Sequence, residues 1–203
     1  MGAVLLDVLF PPGCAVCGAR GRSPCAGCEA ALRRPPTLPP PPGVDRLVAL
    51  LAYEDEGREL VARLKYRNAR SSLPWLAERL AARVDPHDLD VVTWLPTTGR
   101  RRRRRGFDQS ELLARAVARR LGLPCVRLLR RCAGPPQTGR TRVERRRRPP
   151  LTAVRPRTPD RVLLVDDVCT TGTSLAAGAA VLRRHGTAVV SAATVARALP
   201  RSL

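Results

Sequence analysis

Short apolar runs alternate with helical stripes along most of this chain. Val44–Tyr53 is an apolar run suited to a buried strand. Glu59–Lys65 and Leu73–Arg83 carry helical spacing. Leu60, Val61 and Leu64 share a face of the first, and Leu73, Leu76, Leu80 and Val84 a face of the second. Asp90–Leu95 reads as a short strand. Ser110–Leu121 reads as a helix that turns Leu113, Ala116, Val117 and Leu121 inward and stops at Gly122. Val126–Leu129, Val162–Val165 and Ala188–Val195 read as further strands, with a helix at Ser174–Arg184 ended by Gly186. Strands alternating with helices predict an α/β fold, a mainly parallel sheet covered on both faces.

Two stretches break this alternation. Pro35 to Pro42 can form neither a helix nor a central strand, and it reads as a stiff linker. Residues 132–150 are rich in Gly, Pro and Arg without apolar periodicity, so they read as a long mobile loop. The linker divides the chain into a small module, residues 1–43, and a main domain, residues 44–203.

The small module carries four of the seven cysteines. Cys14-x-x-Cys17 and Cys25-x-x-Cys28 are two pairs separated by seven residues. Each pair can curl into a knuckle offering two thiolates to one ion, and Gly13, Gly18 and Gly27 permit the tight turns. Four thiolates in a tetrahedron suit a closed, structural Zn²⁺ site. Spacing alone leaves an iron–sulfur cluster as an alternative. A disulfide framework fits poorly with the expected cytoplasmic location. That location follows from Met1–Phe10, which lacks a basic region and a small-residue cleavage site. Apolar runs fall short of the ~20 residues a membrane helix needs, so no membrane span is expected.

Charge sharpens the picture. The 203 residues carry a formal net charge of +20, and aromatic residues make up 3%. Arginine rather than lysine supplies the charge, Lys65 being the sole lysine. The excess is local: residues 100–148 hold 18 arginines against Asp108, Glu111 and Glu144, a surplus of 15. A field this concentrated suits a polyanion, either a nucleic acid or a small molecule bearing several phosphates. With so few aromatics, no base-stacking platform for single strands is evident.

The chemistry gathers at one strand end. Val162–Val165 runs directly into Asp166-Asp167, then Val168-Cys169, then Thr170-Thr171-Gly172-Thr173-Ser174. In an open α/β sheet, ligands bind at the carboxyl ends of strands. Thr, Gly and Ser at the head of a helix offer N–H groups and hydroxyls to a phosphate. Two acids beside such a cradle make sense if they grip sugar hydroxyls or if a divalent cation intervenes. The plain alternative is an Asp pair that caps a helix. Neither GxGxxG nor GxxxxGK[ST] occurs, which removes support for dinucleotide and P-loop readings.

Residues Val162–Ser174 resemble the phosphoribosyl diphosphate (PRPP) motif of type I phosphoribosyltransferases. Over nearly its whole length the chain resembles the ComF family. The resemblance rests on Cys14–Cys28, Leu64-Lys65-Tyr66-Arg67, Arg104-Arg105-Gly106-Phe107-Asp108-Gln109, and Pro136-Gln137-Thr138-Gly139 followed by Arg142-Val143-Glu144-Arg145-Arg146. Asp108 stands where the family usually has Asn. Arg145–Arg148 run into Pro149-Pro150 and Leu151 where the family has Asn and then Ala-Phe. Trp94-Leu95-Pro96-Thr97 replaces its Pro-Leu-His.

The resemblance implies a type I phosphoribosyltransferase fold that takes PRPP with Mg²⁺ and transfers the phosphoribosyl group to a nitrogen acceptor. It implies that Asp166 and Asp167 hold the ribose hydroxyls, and that Thr170, Thr171, Gly172, Thr173 and Ser174 hold the 5′-phosphate. It assigns Pro96–Arg100 to the diphosphate loop. Residues 132–150, with Arg142 and Arg145, become the loop closing over the reaction, and Lys65 and Tyr66 become ligand contacts. It also implies a link to DNA uptake and competence machinery. A second function class therefore stands beside the transferase: a non-catalytic nucleic-acid-associated protein using the zinc module and the arginine field, with a vestigial or regulatory PRPP site.

Overall fold

The computed structural model describes residues 13–64, 71–99, 103, 106–132 and 150–199. Its central sheet contains β1 (Arg46–Ala52), β2 (Val91–Trp94), β5 (Arg161–Cys169) and β6 (Val189–Arg197), in the order β1-β6-β5-β2. All three pairings are parallel. β5 and β6 fill the middle because their residues are apolar on both sides, as a sheet covered on both faces requires.

Alternation along β5 assigns its side chains to two cores. Leu163 and Val165 face the helices α2 (Asp55–Leu64), α3 (Leu73–Ala81) and α4 (Gln109–Leu121), where they meet Leu60, Leu76, Leu80, Leu113 and Val117. Val162 and Leu164 face the other way, toward α5 (Thr173–Arg184) and its Leu175, Ala179 and Leu182. Gly178 on α5 permits the close approach: a Cβ there would stand 2.8 Å from the Leu95 side chain and 3.0 Å from that of Leu164.

Helix ends follow local chemistry. Gly122 ends α4 in the left-handed conformation, φ 68°, which glycine adopts without a Cβ penalty. His185 closes α5, its ring Nδ1 lying 2.9 Å from the Val181 carbonyl oxygen.

The strand expected at Val126–Leu129 is displaced. Residue 125 makes one parallel bridge to Val92, and the chain then turns into β3 (Leu129–Arg131). β3 pairs antiparallel with β4 (Leu151–Ala153), packed beside α5. Three residues between Pro150 and an arginine-rich turn are too few for a period-2 signal, so sequence reading passes over β4.

The proline stretch is laid along the domain. The buried Arg197 guanidinium donates Nη1–H to the Leu38 carbonyl at 2.8 Å and Nη2–H to the Pro39 carbonyl at 2.5 Å. Pro41 is buried and accepts the Val44 N–H at 3.0 Å. The cysteine segment, with the short helix α1 (Ala26–Ala31), joins the same body. Ala15 enters the core cluster of Leu60 and Leu76, and the buried hydroxyls of Ser23 and Ser72 lie 2.7 Å apart. No helix among the described residues is long and apolar enough to cross a membrane.

Candidate functional site

The sheet core ends at Asp166. Val162–Val165 are fully buried, whereas Asp166, Asp167 and Val168 are half-buried. A cavity of about 220 Å³ opens at this edge. Its walls are Leu95–Thr98 following β2, Asp108–Ser110 at the head of α4, Arg131 of β3, Asp166–Val168 of β5, Thr170 just after it, and Tyr53 beyond β1. Parallel strands deliver these segments to the same end, which is why distant sequence positions meet here.

Asp166 is held in place. Its Oδ1 accepts hydrogen bonds from Ser110 Oγ at 3.0 Å and from the Asp167 N–H at 2.9 Å. Gln109 donates from Nε2 to the Leu64 carbonyl at 3.0 Å, tying the head of α4 to the end of α2. Arg131 donates Nε–H to the Pro96 carbonyl at 2.7 Å, which ties β3 to the turn after β2. Asp108 is 7% exposed. Its Oδ2 accepts the Thr97 N–H at 2.8 Å, while the buried Oδ1 has no partner among the described residues. Burial pushes this carboxyl above the usual range, outweighing the opposing pull of the Thr97 and Glu111 N–H groups.

Beyond Thr170 the chain makes the turn that starts α5. Gly172 is the N-cap with φ 74°, and the hydroxyls of Thr171 and Thr173 lie 2.8 Å apart. The first N–H groups of this 12-residue helix have no partner within the helix, and its dipole places partial positive charge here. An anion is therefore favoured at this turn. Pro41 covers Gly172 so closely that a Cβ would stand 2.7 Å from Pro41 Cγ. Gly172→Ala must adopt a left-handed backbone and displace the proline, a combined cost of about 2–5 kcal/mol. Urea unfolding should show that loss. An unchanged midpoint would mean that the turn rearranges freely.

A second constellation lies in the N-terminal segment. The sulfurs of Cys14, Cys17, Cys25 and Cys28 all lie within 4.8 Å of one another. Cys17 Sγ and Cys25 Sγ are 3.7 Å apart, against ~3.8 Å for a tetrahedron with Zn–S bonds of ~2.3 Å. The N–H groups of Val16 and Cys25 point at Cys14 Sγ from 3.4 and 3.3 Å. Burial raises the Cys14 pKa, but N–H groups of Cys17, Cys25 and Val16 outweigh it and bring the thiol down to about 6. Burial and the neighbouring sulfurs push Cys28 the other way, to about 12. Negative charge on neighbouring sulfurs opposes ionisation of the last thiol, and a cation among the four would relieve that repulsion. The donor set and its spacing fit one metal ion.

Of the residues singled out from sequence, Asp166, Asp167 and Thr170 line the cavity, and Thr171–Ser174 follow at the helix head. Lys65, Tyr66, Arg142 and Arg145 lie outside the described residues. Asp108, Ser110, Thr97, Arg131 and Tyr53 enter the site as well. Thr97 and Asp108 had a sequence signal, the first in the Pro96–Arg100 segment that the resemblance assigns to diphosphate, the second in the Arg104–Gln109 string. The others are ordinary residue types brought in by topology.

A parallel sheet carrying an acidic strand end, a glycine turn that heads a helix and a cavity beside them fit a phosphoribosyltransferase-type domain, and residues 108–201 match the phosphoribosyl transferase domain family. The chain is 31% identical over 207 residues to the DNA utilization protein YhgH of Salmonella typhimurium, covering 92% of this chain and 84% of that protein. The YhgH protein of Salmonella typhi matches to the same extent. The chain belongs to the ComF family of the type I phosphoribosyltransferase superfamily. Among solved structures, the allosteric regulatory enzyme of purine biosynthesis superposes with a TM-score of 0.50 at 23% identity. That match covers 68% of this chain and 30% of that one, and the likeness carries the fold alone.

Proposed function

We propose that this protein binds PRPP in the cavity at the end of β5 and transfers its phosphoribosyl group to a nitrogen acceptor, in a process connected with DNA uptake. The observation that carries the reading is the pair Asp166-Asp167 standing at the cavity beside the glycine turn that heads α5. The turn Thr170–Ser174 takes the 5′-phosphate. Asp166 and Asp167 accept hydrogen bonds from the ribose 2′- and 3′-hydroxyls, Asp166 pre-oriented by Ser110. The family resemblance adds Lys65 and Tyr66 as ligand contacts, and Arg142 and Arg145 from the loop over the reaction.

The acceptor nitrogen forms a bond to ribose C1 as the C1–O bond to diphosphate breaks. Positive charge develops on the sugar, as in glycoside cleavage, and carboxylates nearby favour it. When bound with PRPP, Mg²⁺ supplies charge neutralisation for the departing diphosphate. Zinc on Cys14, Cys17, Cys25 and Cys28 has a structural part, joining residues 1–43 to the catalytic unit of residues 44–203.

Titration calorimetry with PRPP and Mg²⁺ tests the reading. Saturable binding, weaker for ribose 5-phosphate, is expected. Absence of binding to the folded, metal-loaded protein would overturn it.

The local surplus of 15 positive charges in residues 100–148 favours a second reading, in which the arginine field holds nucleic acid and PRPP binding is regulatory. Contacts to many phosphates release counterions, so DNA affinity should fall steeply with salt, by about 10³–10⁵ between 50 and 200 mM for 6–10 contacts. A flat salt profile would remove the nucleic-acid reading.

A further inference from the structure

Asp108 does something that the ribose-phosphate site leaves unexplained. Its carboxyl lines the cavity, yet it is more than nine-tenths buried. It spends one oxygen on the Thr97 N–H, in the segment that follows β2, and the other is buried without a hydrogen-bond partner among the described residues. The N–H groups of Glu111 and Ser110 at the head of α4 attract this carboxylate without closing a capping hydrogen bond, so its burial is only partly compensated and the neutral acid is favoured. Resting on the PRPP reading above, we infer that Asp108 is the residue that discriminates for the diphosphate half of the ligand, and that it carries a proton whenever diphosphate is bound.

By resemblance Pro96–Arg100 forms the diphosphate loop, and Asp108 accepts a hydrogen bond from that loop's Thr97. An ionised carboxylate behind the loop repels an arriving diphosphate. A neutral one does not, and its carbonyl oxygen still accepts the Thr97 N–H. In the string this segment resembles, Asn stands at this position, and an amide is neutral at every pH and offers the same carbonyl acceptor. Asp108 reproduces Asn only while protonated. This chain has therefore replaced a permanently neutral support by one that titrates.

The surrounding groups set the direction. On its own helix, Glu111 is ion-paired with Arg115 at 2.8 Å. Across the cavity are Asp166 and Asp167 from β5, Arg131 from β3 and the Tyr53 phenol beyond β1. Burial, first, and the Glu111 charge both raise the Asp108 carboxyl, while N–H donors of Thr97, Glu111 and Ser110 lower it. Diphosphate adds further negative charge, so the bound state holds the proton more tightly than the free state. The sign follows from linkage: binding takes up a proton, and affinity falls as pH rises above the carboxyl's value in the free protein, by up to about tenfold per pH unit.

The test compares the intact protein with Asp108→Asn, titrating PRPP with Mg²⁺ from mildly acid to mildly alkaline pH. Ribose 5-phosphate, which lacks the diphosphate, is the control. For PRPP the wild-type affinity should fall with pH relative to Asp108→Asn, and the two proteins should share one profile for ribose 5-phosphate. Calorimetry in two buffers of different ionisation enthalpy should register proton uptake for the wild type in excess of the variant. The wild-type measurement stands by itself should the variant fail to fold, since uptake with PRPP must then exceed uptake with ribose 5-phosphate. Parallel PRPP profiles, no excess uptake, or loss of PRPP binding in a folded Asp108→Asn protein would overturn the inference while leaving the PRPP site standing. Failure of PRPP to bind either protein would overturn the site itself, and this inference with it.

Discussion

Replacing Asp166 and Asp167 together by Asn should lower PRPP affinity by roughly a hundred- to ten-thousand-fold while leaving the fold intact. Hydrogen bonds to charged groups are worth about 1.5–3 kcal/mol each, and two sugar hydroxyls lose their charged acceptors. Stability should change little, because an Asn at 166 still offers a carbonyl oxygen to Ser110 Oγ and to the following N–H. Two measurements on one preparation decide it: calorimetric affinity for PRPP with Mg²⁺, and the urea unfolding midpoint. A collapsed midpoint would turn the pair into a capping device for the helix that follows. An unchanged affinity in a folded protein would remove the assigned role.

Stripping the four-cysteine site of its metal should have the largest effect on stability. Structural zinc contributes about 10–16 kcal/mol in zinc-finger peptides near neutral pH, comparable with the roughly 5–15 kcal/mol that separates a whole domain from its unfolded state. The damage should spread past the cysteines. Ala15 is part of the main core, Ser23 is bonded to Ser72 just before α3, and Glu29 is ion-paired with Arg79 on α3 at 2.7 Å. Elemental analysis should find close to one zinc per chain. Chelation, or Cys14→Ser with Cys25→Ser, should expose α3 to hydrogen exchange and lower the melting temperature. A metal-free protein with the same melting temperature would contradict a structural metal.

The α/β alternation was legible because burial on both faces leaves short, near-continuous aliphatic runs, such as Val162–Val165, between helical stripes bounded by glycine. The cysteine spacing and the string from Asp166 to Ser174 were legible for a related reason. Their partners lie within a few residues, so local geometry nearly determines the chemistry. The displacement of the expected strand at Val126–Leu129 to β3 at Leu129–Arg131 was not legible. A three-residue antiparallel pairing is set by what α5 leaves uncovered rather than by its own periodicity.

The proline stretch marks the boundary between what the chain states and what folding decides. Its composition dictates a stiff, extended segment, and that is all composition can dictate. Its docking depends on Arg197, more than 150 residues away, turning its guanidinium onto the Leu38 and Pro39 carbonyls, and on Gly172 lacking a side chain where Pro41 rests. Asp108 is the same case at the cavity. Sequence marks it as an unusual residue in a familiar string. Only the packing of β2, α4 and β5 buries one of its oxygens without a partner among the described residues, and so makes its proton matter. Residue identity and short-range spacing determined which chemistry this protein carries. The parallel sheet decided which distant groups share a dielectric environment, and therefore how that chemistry is tuned.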